Sequence, residues 1–121
     1  MACPYFVPLE IWPDWTGPRR VPLGEPYRGT CSATAAEIAL EAQAAICNFG
    51  YARARCPHYP ASATIDAVRF SMTTRSDLVW IAERDYAPLG HGIGTPPEYR
   101  ALAEAFLSSF HKGKCPQGIL E

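Results

Sequence analysis

The clearest hydrophobic pattern lies near the C-terminus and has the period of an amphipathic helix. Its apolar positions recur at i, i+3, i+4 and i+7: Tyr99, Leu102, Ala103, Phe106, Leu107 and Phe110. Thr95 and Glu98 enclose two prolines and form a capping box, with proline at the first helical position. The pattern predicts a helix over residues 95–112, ended by Lys112-Gly113.

A second pattern, over residues 66–86, alternates as a β-hairpin does. Val68, Phe70 and Met72 alternate with polar residues, the turn 73–77 follows, and residues 78–82 form a β-prone run. Two strands alone are marginally stable, so this hairpin must pack against helices or a third strand. The next segment, 88–94, contains three glycines and is predicted to be a loop.

An alanine-rich segment predicts another helix, over about residues 35–48. Thr34 and Glu37 have capping-box spacing, and Asn48 and Gly50 are plausible stop signals. The apolar residues that follow fall on one helical face: Ile38, Ala42, Ala45, Ile46 and Phe49.

Residues 1–30 hold six of the twelve prolines, at intervals that exclude a regular helix or a central strand. The same stretch carries five aromatic residues, more than a disordered linker usually has. We interpret it as an extended arm laid across a surface. The favoured surface is the protein's own core, and the alternative is a partner chain.

Together these patterns predict a small α+β domain over residues 1–121. Its parts are an extended arm (1–30), a cysteine-bearing helix and loop (31–65), a β-hairpin (66–86) and an amphipathic helix (95–112). The formal net charge is −1 and no basic run stands out, which argues against a nucleic-acid partner. The apolar stretches are too short for membrane insertion, and the N-terminus lacks the pattern of a signal peptide, so we expect a cytoplasmic protein.

The cysteines are the main candidates for chemistry. Cys3, Cys31, Cys47 and Cys56 lie in the first half of the chain, and Cys115 near its end. In a reducing compartment such cysteines are more often metal ligands or free thiols than disulfides. Proline follows three of the five, as it follows the last ligand in bacterial ferredoxin motifs. Four thiolates are the complement of one iron–sulfur cluster or one closed zinc site.

Spacing favours iron–sulfur over zinc. Zinc sites usually contain a C-x2-4-C knuckle, whereas here 27, 15 and 8 residues separate the four cysteines. The aromatic residues around Cys47 and Cys56 suit a cluster shielded from water. We therefore expect the four cysteines to bind a cluster, of the [4Fe-4S] type in preference to other forms, with zinc as the alternative.

The segment Cys47 to Pro60, together with the upstream Cys3-Pro-Tyr-Phe and Gly29-Thr-Cys31, resembles small uncharacterised bacterial proteins with four dispersed cysteines of iron–sulfur type. The resemblance covers the cysteine-bearing half and extends to the segment Asp66–Phe70. It implies a possible cluster and no particular reaction.

The predicted helix sets a geometric condition on this site. A helix over residues 35–46 would be about 18 Å long and would place Cys31 and Cys47 near opposite ends. Either Cys31 runs back alongside it, or the helix begins later, or Cys31 is not a ligand. In the last case Cys115 or His58 would replace it. The simpler interpretation is that Cys115 is a tail thiol and His58 an exposed loop histidine.

The sequence favours electron transfer, or an accessory role, as a subunit of a larger redox assembly that docks through the N-terminal arm. A zinc-stabilised interaction module and a metal-free thiol redox sensor are the alternatives. No catalytic triad or carboxylate dyad can be assembled from spacing, so independent catalysis is not expected. Arg53 and Arg55 could offset cluster charge or meet an acidic partner, and His91 is interpreted as a turn residue.

Overall fold

The computed structural model describes residues 1–111 and contains two antiparallel sheets and two helices. A two-stranded sheet comes first, a short helix follows, and a three-stranded sheet leads into the C-terminal helix. The elements are β1 (Phe6–Ile11), β2 (Tyr27–Cys31), α1 (Leu40–Ala42) with a π-helical turn (Gln43–Cys47), β3 (Ala67–Met72), β4 (Leu78–Arg84), β5 (Ala87–Ile93), a 3-10 turn (Pro97–Tyr99) and α2 (Arg100–His111). The predicted α+β class is confirmed.

The C-terminal part follows the sequence pattern closely. Strands β3 and β4 pair in a regular antiparallel register from Ala67↔Glu83 to Met72↔Leu78, which confirms the predicted hairpin. Helix α2 packs against β1, and its apolar stripe also meets the three-stranded sheet, where the ring centroids of Phe70 and Phe106 lie 5.8 Å apart. Phe106 is fully buried, so this contact is at the centre of the hydrophobic core.

Strand β5 replaces the predicted glycine-rich loop. Residues 87–93 pair antiparallel with β4 in the order β3-β4-β5 and supply the third strand that the hairpin needs. Gly92 is required at its place, because a Cβ there would meet the Trp80 indole at 2.7 Å. Composition favours a loop, but close approach to a large neighbouring ring is a second reason for glycine in a strand.

The N-terminal segment differs from the predicted continuous arm. Residues 6–11 and 27–31 form the hairpin β1-β2, with an irregularity between Pro8 and Glu10 where proline cannot donate to the ladder. Its packing agrees with the favoured interpretation, because Phe6, Leu23 and Tyr27 are buried in the protein's own core. The Tyr27 hydroxyl lies 3.2 Å from the Ser109 hydroxyl and so joins this hairpin to α2.

Helix α1 begins at Leu40, five residues later than predicted. The Thr34 hydroxyl accepts the N–H of Ala36, two residues on, and so closes a local turn instead of capping a helix. Residues 32–39 therefore connect β2 to α1 as an irregular segment.

The predicted C-terminal helix is confirmed from Pro97 to His111. No helix in the described part of the chain is both long and apolar enough to cross a bilayer.

Candidate functional site

All four cysteines of the N-terminal half line one cavity, which we call the cysteine cavity. It is small, with a cavity volume of about 20 Å³, and part of it is open to solvent. Its lining is otherwise almost entirely apolar or aromatic: Tyr5, Phe6, Ala33, Ile38, Ile46, Ala52, His58 and Tyr59. Residues separated by more than fifty positions in sequence thus meet at one place.

Cys3 is held between the first hairpin and the three-stranded sheet. Ala2 forms an isolated antiparallel bridge with Val68 of β3, and the Cys3 N–H donates to the Cys47 carbonyl at 3.2 Å. The Cys3 carbonyl accepts the Phe6 N–H at 3.1 Å, which closes a turn around Pro4. The proline after Cys3 therefore bends the chain from the cavity into β1.

Cys31 reaches the cavity because the first hairpin returns to its starting point. It is the last residue of β2 and pairs with Phe6, the first residue of β1. The Ala33 N–H points at the Cys31 sulfur, 3.4 Å away. Backbone N–H groups directed at cysteine sulfurs are among the interactions that tune iron–sulfur centres.

Cys47 is positioned by the π-helical turn. Such turns are rare and are often found at functional sites. Gln43, the first residue of this turn, accepts the Gly29 N–H and donates to the Ile38 carbonyl, so it ties β2 to the start of α1. Because α1 begins only at Leu40, no long helix separates Cys31 from Cys47, and both residues line the same cavity.

Asn48 fixes Cys47 relative to the strand that carries Cys31. Its side chain is 1% exposed. Its Oδ1 accepts the Tyr27 N–H at 3.0 Å, and its Nδ2 donates to the carbonyls of Tyr27 and Gln43, each at 2.9 Å. This amide is the clamp between β2 and the π-helical turn, whereas the sequence indicates it only as a helix stop.

Cys56 lies in the loop that closes the cavity. The Ala52 carbonyl accepts the N–H of Cys56 at 2.8 Å, and the Cys56 carbonyl accepts that of Tyr59 at 3.2 Å. The Tyr59 ring meets the Tyr5 ring edge-on, with centroids 5.5 Å apart. Tyr5 and Tyr59 therefore join the loop to the first hairpin at the cavity, a contact that the sequence does not predict.

Arg53 holds this loop from outside the cavity. Its guanidinium donates to Asp66 at 2.8 Å and to the Ala63 carbonyl at 2.7 Å, and it lies 5.3 Å from the centroid of the Tyr59 ring. Bonding to the carboxylate raises the pKa of Arg53. The role of Arg53 is therefore to anchor the loop.

Burial is the main influence on the ionisation of Cys3 and Cys47, and the neighbouring cysteines add to it. Burial, with smaller contributions from Cys31 and Cys56, raises the pKa of Cys3 to about 11. Burial, and then the neighbouring thiolates of the other three cysteines, raises the pKa of Cys47 to about 12. Cys3 and Cys47 therefore lie close enough to the other cysteines for those charges to influence their pKa values.

The donor set fits an iron–sulfur cluster, but the sulfur atoms do not already form a coordination sphere. Within residues 1–111, no group of three or more His, Cys, Asp or Glu side chains is arranged to hold a metal ion as it stands. Ligation would therefore need these side chains to turn toward a common centre. Rotation about χ1 moves a cysteine sulfur between staggered positions without moving the backbone.

The remaining candidates lie in different places. His58 lines the cysteine cavity, whereas His91 lies on β5 opposite Ile81 and away from it. Arg55 donates to the Gly50 carbonyl at 3.2 Å. Cys115 lies outside the described residues.

Comparison with protein-family models, with curated proteins and with solved structures gave no match.

Proposed function

We propose that Cys3, Cys31, Cys47 and Cys56 bind an iron–sulfur cluster of the [4Fe-4S] type and that the protein acts in electron transfer, or as an accessory subunit, within a larger redox assembly. The observation that carries the proposal is the meeting of four dispersed cysteines at one cavity. Four cysteine thiolates are the usual ligands of such clusters.

The character of the cavity supports a redox centre. Its wall is largely apolar, which excludes water and influences the potential of a bound cluster. Cys3 and Cys47 are buried, while Cys31 and Cys56 are partly exposed. One side of the site is therefore shielded and the other lies near the surface, where a partner could exchange electrons.

The surface of the first hairpin supports docking through the N-terminal segment. Leu9 and Ile11 of β1 are 67% and 39% exposed, and the paired strand β2 ends in Cys31. Apolar side chains on a strand adjoining the site are suited to the centre of a protein interface. We expect the redox partner to cover this hairpin.

The decisive experiment is metal and sulfide analysis of protein purified without oxygen. We expect a brown protein with iron and acid-labile sulfide in equal amounts and a broad absorption band near the violet end of the visible spectrum. Stoichiometric zinc without colour would support the interaction module instead. A colourless, metal-free protein with a disulfide among the four cysteines would support the redox sensor and overturn the proposal.

Single cysteine variants test the ligand assignment. Cys3→Ser, Cys31→Ser, Cys47→Ser and Cys56→Ser should each lose most of the bound iron. Cys115→Ser is the matched control, because sequence places that thiol in the tail beyond α2. If Cys115→Ser lost iron and Cys31→Ser kept it, Cys31 would not be a ligand and Cys115 would take its place.

A further inference from the structure

The geometry points to a second binding site, separate from the cysteine cavity, for a small molecule that combines a planar ring with an anionic group. The site is an open pocket that we call the tyrosine pocket. It is lined by Arg20, Phe49, Tyr51, Arg55 and Tyr86 together with Met1, Pro22 and Gly50. Four of these belong to the segment that joins Cys47 to Cys56, so this segment contributes residues to both the cysteine cavity and the tyrosine pocket.

The charge of the pocket is positive. Arg20 and Arg55 line it, and none of its lining residues is acidic. Neither guanidinium pairs with a carboxylate in the part of the chain that the structure describes. Arginine binds carboxylate and phosphate through a planar fork of donors, and it also stacks on rings. An anionic ligand is therefore the matching class.

The rings of the pocket form a stacking platform. Tyr51 and Tyr86 stack with centroids 4.0 Å apart and planes 3° from parallel. Tyr86 is nevertheless 75% exposed, because only one face of its ring is covered. Bases of single-stranded nucleic acids stack on aromatic side chains whatever their sequence, and any planar ring offers the same kind of surface.

The backbone holds this platform at a conformational cost. Asp85 and Tyr86 have φ of 52° and 64°, as in a type I′ turn, and Tyr51 has φ of 58°. Glycine or asparagine is the usual residue at such positions, and tyrosine is unfavourable there. The Tyr51 hydroxyl donates to Glu83 at 2.7 Å and accepts the Tyr86 N–H at 2.9 Å, which locks the two residues together. Strained residues of this kind cluster at ligand sites.

The dimensions of the pocket favour a small molecule over an extended partner. Its cavity volume is about 330 Å³, and small-molecule sites usually measure about 300–1,000 Å³. An acidic peptide would use the two arginines but would have no need of the exposed ring. The ring and the charges together therefore specify an aromatic anion.

Three probes test this inference on the full chain: adenosine monophosphate, which has a ring and an anion, adenosine, which has only the ring, and inorganic phosphate. In two-dimensional amide NMR titrations, adenosine monophosphate should shift residues 20, 49–51, 55 and 86 at lower concentration than either other probe. No shift at these residues, or equal binding of phosphate alone, would overturn the inference. So would tighter binding of a hexaglutamate peptide than of adenosine monophosphate.

Variants locate the site. Arg20→Gln and Arg55→Gln should each weaken binding of adenosine monophosphate about tenfold, the equivalent of one charge-assisted hydrogen bond. Tyr86→Asn removes the ring while keeping a residue that tolerates positive φ, and it should weaken binding similarly. Arg75→Gln, in the exposed β3–β4 turn, is the control. Equal affinity in all four variants would place the site elsewhere. The result does not depend on whether the cysteines bind a cluster.

Discussion

At the scale of single residues, burial determines what the cysteine thiols can do. In the metal-free protein, the raised pKa values of Cys3 and Cys47 keep both thiols protonated at neutral pH. Since only the thiolate is nucleophilic, these two side chains are poor candidates for thiol catalysis. Metal binding must displace their protons, so metal affinity should rise with pH.

We predict that the Cys47 thiol makes the metal-free protein lose stability in alkali. An unfolded cysteine ionises near pH 9, whereas folded Cys47 holds its proton to about pH 12. Its contribution is thus complete below pH 9 and declines as pH rises from 9 through 12. Urea unfolding in reductant at several pH values should show a steeper alkaline loss for wild type than for Cys47→Ser. Parallel curves for the two proteins would contradict the assignment.

The cysteines of the site can be predicted from the sequence more readily than the residues that hold them in place. The cysteine count and context single out all four thiols that line the cavity. The roles of Tyr5, Tyr59 and Asn48 depend on contacts between segments distant in sequence, for which a single sequence has no local signal. Arg53 stands out in the sequence, but its partner Asp66 belongs to the segment before β3, so its anchoring role is visible only in three dimensions.

At the scale of elements, two small features bring Cys31 and Cys47 to one place. The first hairpin returns the chain to its start, and the π-helical turn ends beside it. The Asn48 amide is the hydrogen-bonded link between these elements, because it binds both backbone groups of Tyr27 and the carbonyl of Gln43. Disturbing either element should therefore affect the other.

Asn48→Ala should test this link directly. It leaves buried backbone groups of Tyr27 without their partner, and we expect a loss of about 2–4 kcal/mol in the free energy of unfolding. Urea denaturation of metal-free protein measures the loss. Thr74→Ala, in the exposed β3–β4 turn, serves as the reference substitution. If Asn48→Ala lost no more free energy of unfolding than Thr74→Ala, the hydrogen bonds of Asn48 would not contribute to stability.

Gly29→Ala should disrupt the first hairpin. A Cβ at Gly29 would lie 1.9 Å from the Val7 carbonyl oxygen, a backbone atom that cannot move away without breaking the ladder. We expect a destabilisation of about 1–3 kcal/mol, typical of overpacking. Gly90→Ala is the matched control in β5, where a Cβ would meet nothing within 4 Å. Equal thermal midpoints for the two variants would contradict the pairing of β1 with β2.

The fold is predictable where periodicity is continuous and unpredictable where proline and glycine interrupt it. The apolar stripe of α2, the alternation over β3 and the β-prone run of β4 are local signals, and they predict the observed elements. Strands β1 and β5 contain proline, and β5 also contains two glycines, so composition argues against each. Their pairing partners stabilise them, and that information is not present within either strand.

At the scale of the whole molecule, regular secondary structure is distributed unequally between the two halves of the chain. Cys31 ends the short two-stranded hairpin, and Cys47 and Cys56 lie on the π-helical turn and the irregular loop that follows it. The other half has the regular β3-β4-β5 ladder and the buried contact of Phe70 with Phe106. A metal bound by four separated cysteines would act as a cross-link mainly on the first half.

Removal of the proposed cluster should therefore loosen the molecule locally. We expect amide hydrogen exchange to quicken over residues 28–32 and 43–56 when iron is removed by chelator under anaerobic conditions, because binding energy at a site adds to the stability of the segments that form it. Exchange in β4 and β5 should change little, since their protection comes from the three-stranded ladder. Reconstitution with iron and sulfide should restore the slow rates, and Cys115→Ser should behave as wild type. Equal acceleration across both halves would mean that the site supports global folding, and no change at all would show that the four cysteines do not hold these segments together through a metal.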